Sequence, residues 1–352
     1  MTLDTSGTLD EAFDRLHECG PEFEGWLTNH GPMAVEALVR HGQAGAVHRW
    51  VDAYRGRLEE LPAPGERISP EGWREALGDP KRLGDWPVFF TERLAAAPWR
   101  DVLAEWWPRL LPGLAGGATH VVIRTGHAVR ALLEEEEEGA SSTAPSAPRI
   151  AELGHALAYW AARYWALPVA AVPTGAYAPE DALAGVPGIP DPQVIGIHKR
   201  FAQLPQTPGF ADALGALRPA ASPEEARALL GEVVRAATHW YGAYAHGNPV
   251  MLVHAATAPN AVLRTLPALP RELWTPSYGA AWAASAAVTA MYRPGEAAAL
   301  RGAAPDAEEL FARVAEHGDE HAIKFVDTAL DVGDEAALLA GVRAVESIDP
   351  VG

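Results

Sequence analysis

The sequence predicts an all-α fold, and three observations carry that prediction. Apolar residues recur at three-to-four spacing along most of the chain, helix starts are clearly marked, and strand signals are sparse. The best strand candidate, Pro168–Val172, is short and weak.

In chain order, the periodicity marks helices over Leu9–Cys19, Met33–His41, Ala46–Leu61, Trp86–Trp107, His120–Glu138 and Ile150–Ala166. Further helices cover Pro223–Tyr244, Pro249–Ala256, Tyr278–Tyr292, Asp306–Glu316, Asp319–Leu330 and Asp334–Val345. Their starts follow from chemistry. Ser222-Pro223-Glu224-Glu225 supplies a capping hydroxyl, a proline where no amide is needed and a glutamate three residues on. Asp306 with Glu309 repeats the pattern, and Asn248-Pro249 is another start. The acidic and Ser/Ala/Pro tract at 134–148 reads as a flexible, solvated loop, and residues 173–192, rich in Pro, Gly and Ala, as a connection. Neither tract changes the helical character around it, and no internal repeat appears. The expectation is one large helical domain, 1–352, with long Pro/Gly-rich loops.

Composition narrows the function. The 352 residues hold 28 Lys+Arg against 46 Asp+Glu, a formal charge of −18, which repels phosphate backbones and argues against nucleic-acid binding. No apolar run reaches the roughly 18–20 residues of a membrane helix. The acidic stretch Met1–Glu11 lacks the order of a signal peptide, and Cys19 has no second cysteine to pair with. A cytoplasmic, soluble protein is expected. Lysine occurs only at 81, 199 and 324, so arginine supplies the other 25 of its 28 basic residues. Each surviving lysine raises the question of whether an amine is needed there.

The common catalytic signatures are missing: there is no G-x-S-x-G elbow, no phosphate-binding loop, no H-E-x-x-H and no dinucleotide-binding βαβ unit. Histidine, with 13 copies, carries the remaining chemistry. His317, His321 and Lys324 fall on one stripe of a helix at about 100° per residue, opposite Ile323, Val326 and Leu330. His120, Arg124 and His127 share a second face, opposite Val122, Val129 and Leu133. His254 follows four consecutive apolar residues, which implies burial and a need for a partner. His30 stands at the mouth of a helix, before Gly31-Pro32. Metal ligation is one reading of these groups. Amphipathic helices showing polar faces to water, a satisfied core histidine and a turn residue account for the same spacings.

Taken together, LTNHGPMAVEAL (27–38), ATHVVIRTGHAVRAL (118–132), VMLVHAATAPNAVLRTLP (250–267) and HGDEHAIKFVDTAL (317–330) resemble the signature segments of the questin oxidase-like family, in the family's order and across nearly the whole chain. That family is typified by oxygenases of aromatic polyketide metabolism that open an anthraquinone ring. The resemblance implies an all-helical fold with mononuclear non-heme Fe(II). Carried over residue by residue, it implies His30, His120, His254, His321 and Lys324 as metal ligands, the lysine being carbamylated. Arg124, His127 and His317 are the candidates for groups that support the ligands, and His127 competes with His120 as the ligand itself. At Arg124 and His127 the chain departs from the family's fungal members, which bears on substrate more than on metal.

The implied chemistry is coherent. Four neutral imidazoles leave a divalent metal with its full charge, and a carbamate offsets part of it with a hard oxygen donor. Carbamylation needs an uncharged amine, which arginine cannot offer. The expected activity is oxidative ring opening, or Baeyer–Villiger-type oxygen insertion, on a fused-ring aromatic polyketide with O2. NADPH is a conceivable external reductant, although no binding motif for it is present. Some of the 12 tryptophans are available to line a flat pocket, and most belong to the core. A metal-dependent hydrolase or cyclase on the same scaffold, and a non-catalytic helical binding protein, are the alternatives.

Overall fold

The computed structural model describes residues 6–138, 145–169, 172–300 and 302–351. The chain is all-α, and it packs as two compact units: Met1–Ala166 with Pro267–Leu269, and Leu167–Leu266 with Pro270–Gly352. No described helix is long and apolar enough to cross a membrane.

In the first unit, two helices are buried around their whole circumference. Gly31–Arg40 buries every residue from Gly31 to Leu38, and His120–Glu138 every residue from His120 to Leu132. Helices of this kind form the middle of a unit, because a one-sided helix leaves its polar face in water. Ser6–His17, Ala44–Arg55, Asp85–Ala96, Trp99–Leu110 and Ala147–Ala162 complete the unit. The continuous helix expected over Trp86–Trp107 is broken: Ala97 is extended (φ −147°, ψ 156°) ahead of Pro98, as the residue before proline prefers. The two pieces join edge-to-face rings of Trp86, Phe89, Phe90 and Trp106, so these tryptophans belong to the core.

Two expectations for the first unit are corrected. Of the two overlapping expectations for 134–138, the helix to Glu138 forms and the loop does not, because glutamate is a good helix former and cations meet the run. Arg40 pairs with Glu134, the Glu135 carboxylate accepts the Ser146 amide at 3.0 Å, and Glu136 accepts from the Trp99 indole at 3.1 Å and from Arg100 at 2.5 Å. The solvated-loop expectation thus fails over 134–138, and residues 139–144 lie outside the described ones. A hairpin also appears that the sequence did not announce: Glu22–Phe23 pairs antiparallel with Leu27–Thr28. Left-handed residues at Glu24 and Gly25 turn the chain between them.

In the second unit, the helices Pro223–Tyr244, Pro249–Thr265, Trp274–Tyr292, Ala307–His317, Glu320–Val332 and Glu335–Ser347 pack on one another. Ser222, Asn248 and Asp306 cap their helices through side-chain oxygens, as the start signals implied, and Asp319 and Asp334 cap theirs in the same way. The segment 173–192 is more than a connection: it contains the helix Pro179–Ala184 and buries Leu183 and Val186. Pro168 and Val169 form a bend and Val172 is irregular, so no strand appears there; 170–171 lie outside the described residues.

Candidate metal centre

Two groups of histidines, one in each unit, carry the residues singled out by sequence. In the first unit the Asn29-His30-Gly31 segment is held from three sides. Asn29 accepts the Gly31 amide through Oδ1 (2.9 Å) and donates through Nδ2 to the Gly20 carbonyl (3.2 Å). The His30 amide donates to the Tyr54 hydroxyl at 2.6 Å. This places the buried His30 ring edge-on to that of His120, with the two Nε2 atoms 2.7 Å apart. His120 Nδ1 lies 2.6 Å from the Gly117 carbonyl. A carbonyl only accepts, so Nδ1 carries the proton and, in the neutral ring, Nε2 keeps its lone pair. Two imidazole nitrogens on adjacent positions of one metal, each about 2.1 Å from it, stand at a comparable spacing.

His127 and Arg124 do not join this pair. His127 Nδ1 meets the Glu36 carboxylate at 2.6 Å, and Arg130 donates to the same carboxylate through Nε at 2.7 Å. Arg124 holds Glu152 with two bonds of 2.6 and 2.7 Å, and His17 Nε2 lies 2.7 Å from Glu152. Burial alone would raise both carboxyls, but the guanidinium beside each, with the histidine, holds it at about 2. These are buried ion-pair networks, and the solvated-face reading of the helix does not survive. Between His120 and His127, it is His120 that the first unit sets against His30.

In the second unit His254 is wholly buried on the helix Pro249–Thr265. Its Nδ1 lies 3.0 Å from the Met251 carbonyl, which leaves Nε2 with the lone pair. Its ring lies edge-on to that of His321, with centroids 5.8 Å apart. Burial, then the neighbouring Lys324 and His321, push the His254 pKa well down, so the ring is neutral. Asp319 caps the helix Glu320–Val332 by accepting the His321 and Ala322 amides at 2.8 and 3.0 Å, which fixes where His321 stands. Asp319, Glu320 and His321 bring one ligand atom each within 4.8 Å of one another.

Lys324 lies one turn on from His321. It is fully buried, and Nζ has no hydrogen-bond partner among the described residues. Burial brings its pKa down to about 7, with Glu320 and Asp319 opposing the shift. Asp327, one turn further, is taken by Arg264 at 2.7 Å. Of the stripe 317–321–324, Lys324 is shut off from water, and His317 and His321 are half-buried. His317 is separated from it by left-handed Gly318 (φ 80°), which ends one helix before Asp319 starts the next. His317 Nε2 donates to the Ile348 carbonyl at 2.9 Å, which fastens the C-terminal segment, and its Nδ1 accepts the Asp319 amide at 3.4 Å.

The donors suit a divalent transition metal: His120 and His254 keep Nε2 lone pairs, and the Lys324 amine is buried with no hydrogen-bond partner among the described residues. Sequence reasoning missed Tyr54, Glu36, Glu152 and Asp319, which hold the histidines or their neighbours. Only Asp319 left a signal, as the aspartate ahead of a helical run. No model of a known protein family matches the chain, and no curated protein matches it either.

Proposed function

We propose that the chain is a non-heme iron oxygenase acting on fused-ring aromatic polyketides, with His30, His120, His254, His321 and carbamylated Lys324 as the iron ligands implied by the resemblance. The observation that carries the reading is Lys324, a wholly buried amine without a hydrogen-bond partner among the described residues, and one of only three lysines in the chain. An ammonium there is costly, whereas a carbamate bound to a cation satisfies the site. Iron, when bound, supplies one-electron chemistry toward O2 that no side chain of the chain offers.

The protein's own part is positioning and proton placement. His120 and His254 hold their protons at Nδ1, on backbone carbonyls, and turn Nε2 outward. For His30 to act as a ligand through Nε2, its proton moves to Nδ1. Asp319 fixes the first turn that carries His321. The buried surroundings of His254 and Lys324 exclude water and shift both groups toward their uncharged forms.

Anaerobic iron loading of the purified chain tests the reading. Stoichiometric iron is expected, with oxygen uptake when a hydroxyanthraquinone or its hydroquinone is added. His254→Ala and His321→Ala are expected to lose iron while helical circular dichroism stays largely intact. Wild-type protein that takes up no transition metal removes the reading, and metal without oxygen uptake on any quinone removes its oxygenase part.

A further inference from the structure

Before His120 the chain does something costly. Gly117, Ala118 and Thr119 all have positive φ, at 51°, 54° and 73°. Glycine adopts this region freely, but alanine and especially β-branched threonine are disfavoured there. Thr119 is also buried, and its hydroxyl has no hydrogen-bond partner among the described residues. A turn with two strained residues and an unsatisfied hydroxyl persists only where its surroundings impose it.

Those surroundings are visible. A Cβ on Gly116 would stand 2.1 Å from the Arg163 carbonyl oxygen, so the chain lies directly on the residue that ends the helix Ala147–Ala162. A Cβ on Gly117 would meet Thr28 Oγ1 and the Tyr159 hydroxyl, each at 3.2 Å. These two hydroxyls are 2.8 Å apart, and Tyr159 donates to Glu22 at 3.2 Å. Glu22 in turn holds Arg163 with bonds of 2.7 and 2.5 Å. Hairpin, turn and helix end are thus clamped together. What the clamped turn achieves is local: it aims the Gly117 carbonyl at His120 Nδ1.

We propose that the left-handed turn 117–119 is a positioning device that locks His120 in its Nδ1–H tautomer and so presents the Nε2 lone pair toward His30. The iron reading gives the lock its use, but the lock belongs to the metal-free protein and is measured there. Without a carbonyl held on Nδ1, the two neutral tautomers of a histidine compete.

Nitrogen-15 NMR of histidine-labelled, metal-free full-length protein reads the tautomer of each ring. In the wild type His120 is expected to be wholly Nδ1-protonated. Ala118→Gly keeps the turn and removes strain, so the same tautomer and an equal or higher melting temperature are expected. Ala118→Pro forbids positive φ at 118; mixed tautomers and at least a tenfold loss of iron affinity are expected. Gly117→Ala, which crowds Thr28 and Tyr159 without fixing φ, serves where the proline variant fails to fold, and mixed tautomers are expected there too. A wild type protonated at Nε2, or Ala118→Pro or Gly117→Ala protein with His120 still wholly Nδ1-protonated, overturns the proposal. A locked tautomer in a chain that binds no iron upholds the lock and removes the iron reading.

Discussion

Burial at Lys324 already has consequences in the metal-free protein. The folded amine titrates near 7 and the unfolded one near 10.5, so between these values the unfolded chain holds more protons. Stability of the metal-free protein therefore rises with pH from 7 upward, until tyrosines ionise near 10 in the unfolded chain. Lys324→Met removes the buried amine while keeping its length, and is expected to raise stability at pH 7 and flatten that rise, as urea unfolding at pH 7 and 9 would read. Lys324→Arg is expected to lower stability at both pH values and, like the methionine variant, to flatten the rise. A guanidinium stays charged at any accessible pH, and an unpaired buried charge costs roughly 3–5 kcal/mol. It should therefore lose metal as completely as Lys324→Ala despite keeping the positive charge; an arginine variant with full iron content would refute the carbamate. Lysine scarcity made this residue visible in the sequence. Its burial was not visible, because a His/Lys stripe at helical spacing is also what a solvated helix face looks like.

At the scale of the helix, proline shows where reading a sequence succeeds and fails. Pro98 was passed over within one predicted helix and in fact separates two, whereas the helix predicted to stop at Ala256 runs on through Pro259 to Thr265. The difference lies in what meets the orphaned carbonyl. Pro259 has no amide to offer Ala255, four residues earlier, and the Ser285 hydroxyl of the helix Trp274–Tyr292 donates to that carbonyl at 2.7 Å instead. Such a rescue comes from another part of the chain, and local sequence does not contain it. Ser285→Ala should therefore cost about 1–3 kcal/mol by leaving a buried carbonyl unmet. In a Pro259→Ala background the cost should largely vanish, because the new amide takes over the bond. Thermal denaturation of the two single variants and the double variant gives the coupling; additive effects would show that the serine matters for packing alone.

For the whole molecule, fold class was legible because helical periodicity repeats through the chain, and the histidine segments were legible because their residue types are unusual in apolar runs. The way the helices sort into compact packing units was not, since both units are helical and composition does not change at Ala166. Nor were the partners of buried charges: Glu36 and Glu152 lie inside the first unit, against arginines 94 and 28 residues away in sequence. These two carboxylates set the acid limit of that unit. Each is held at about 2 when folded, against an ordinary 4.5. Between those values the unfolded chain binds more protons, so their stabilisation is complete above about 4.5 and is lost as pH falls toward 2, roughly 3 kcal/mol for each. Nine of the 12 tryptophans lie in the first unit, so fluorescence reports mainly its unfolding. Glu36→Gln and Glu152→Gln leave Arg130 and Arg124 buried without their counter-charges, and each should cost about 3–5 kcal/mol at pH 7. The same changes should flatten the loss of stability between pH 4.5 and 2, because an amide has no proton to bind there. A double variant that loses stability in acid as steeply as the wild type would place the acid lability of the first unit elsewhere.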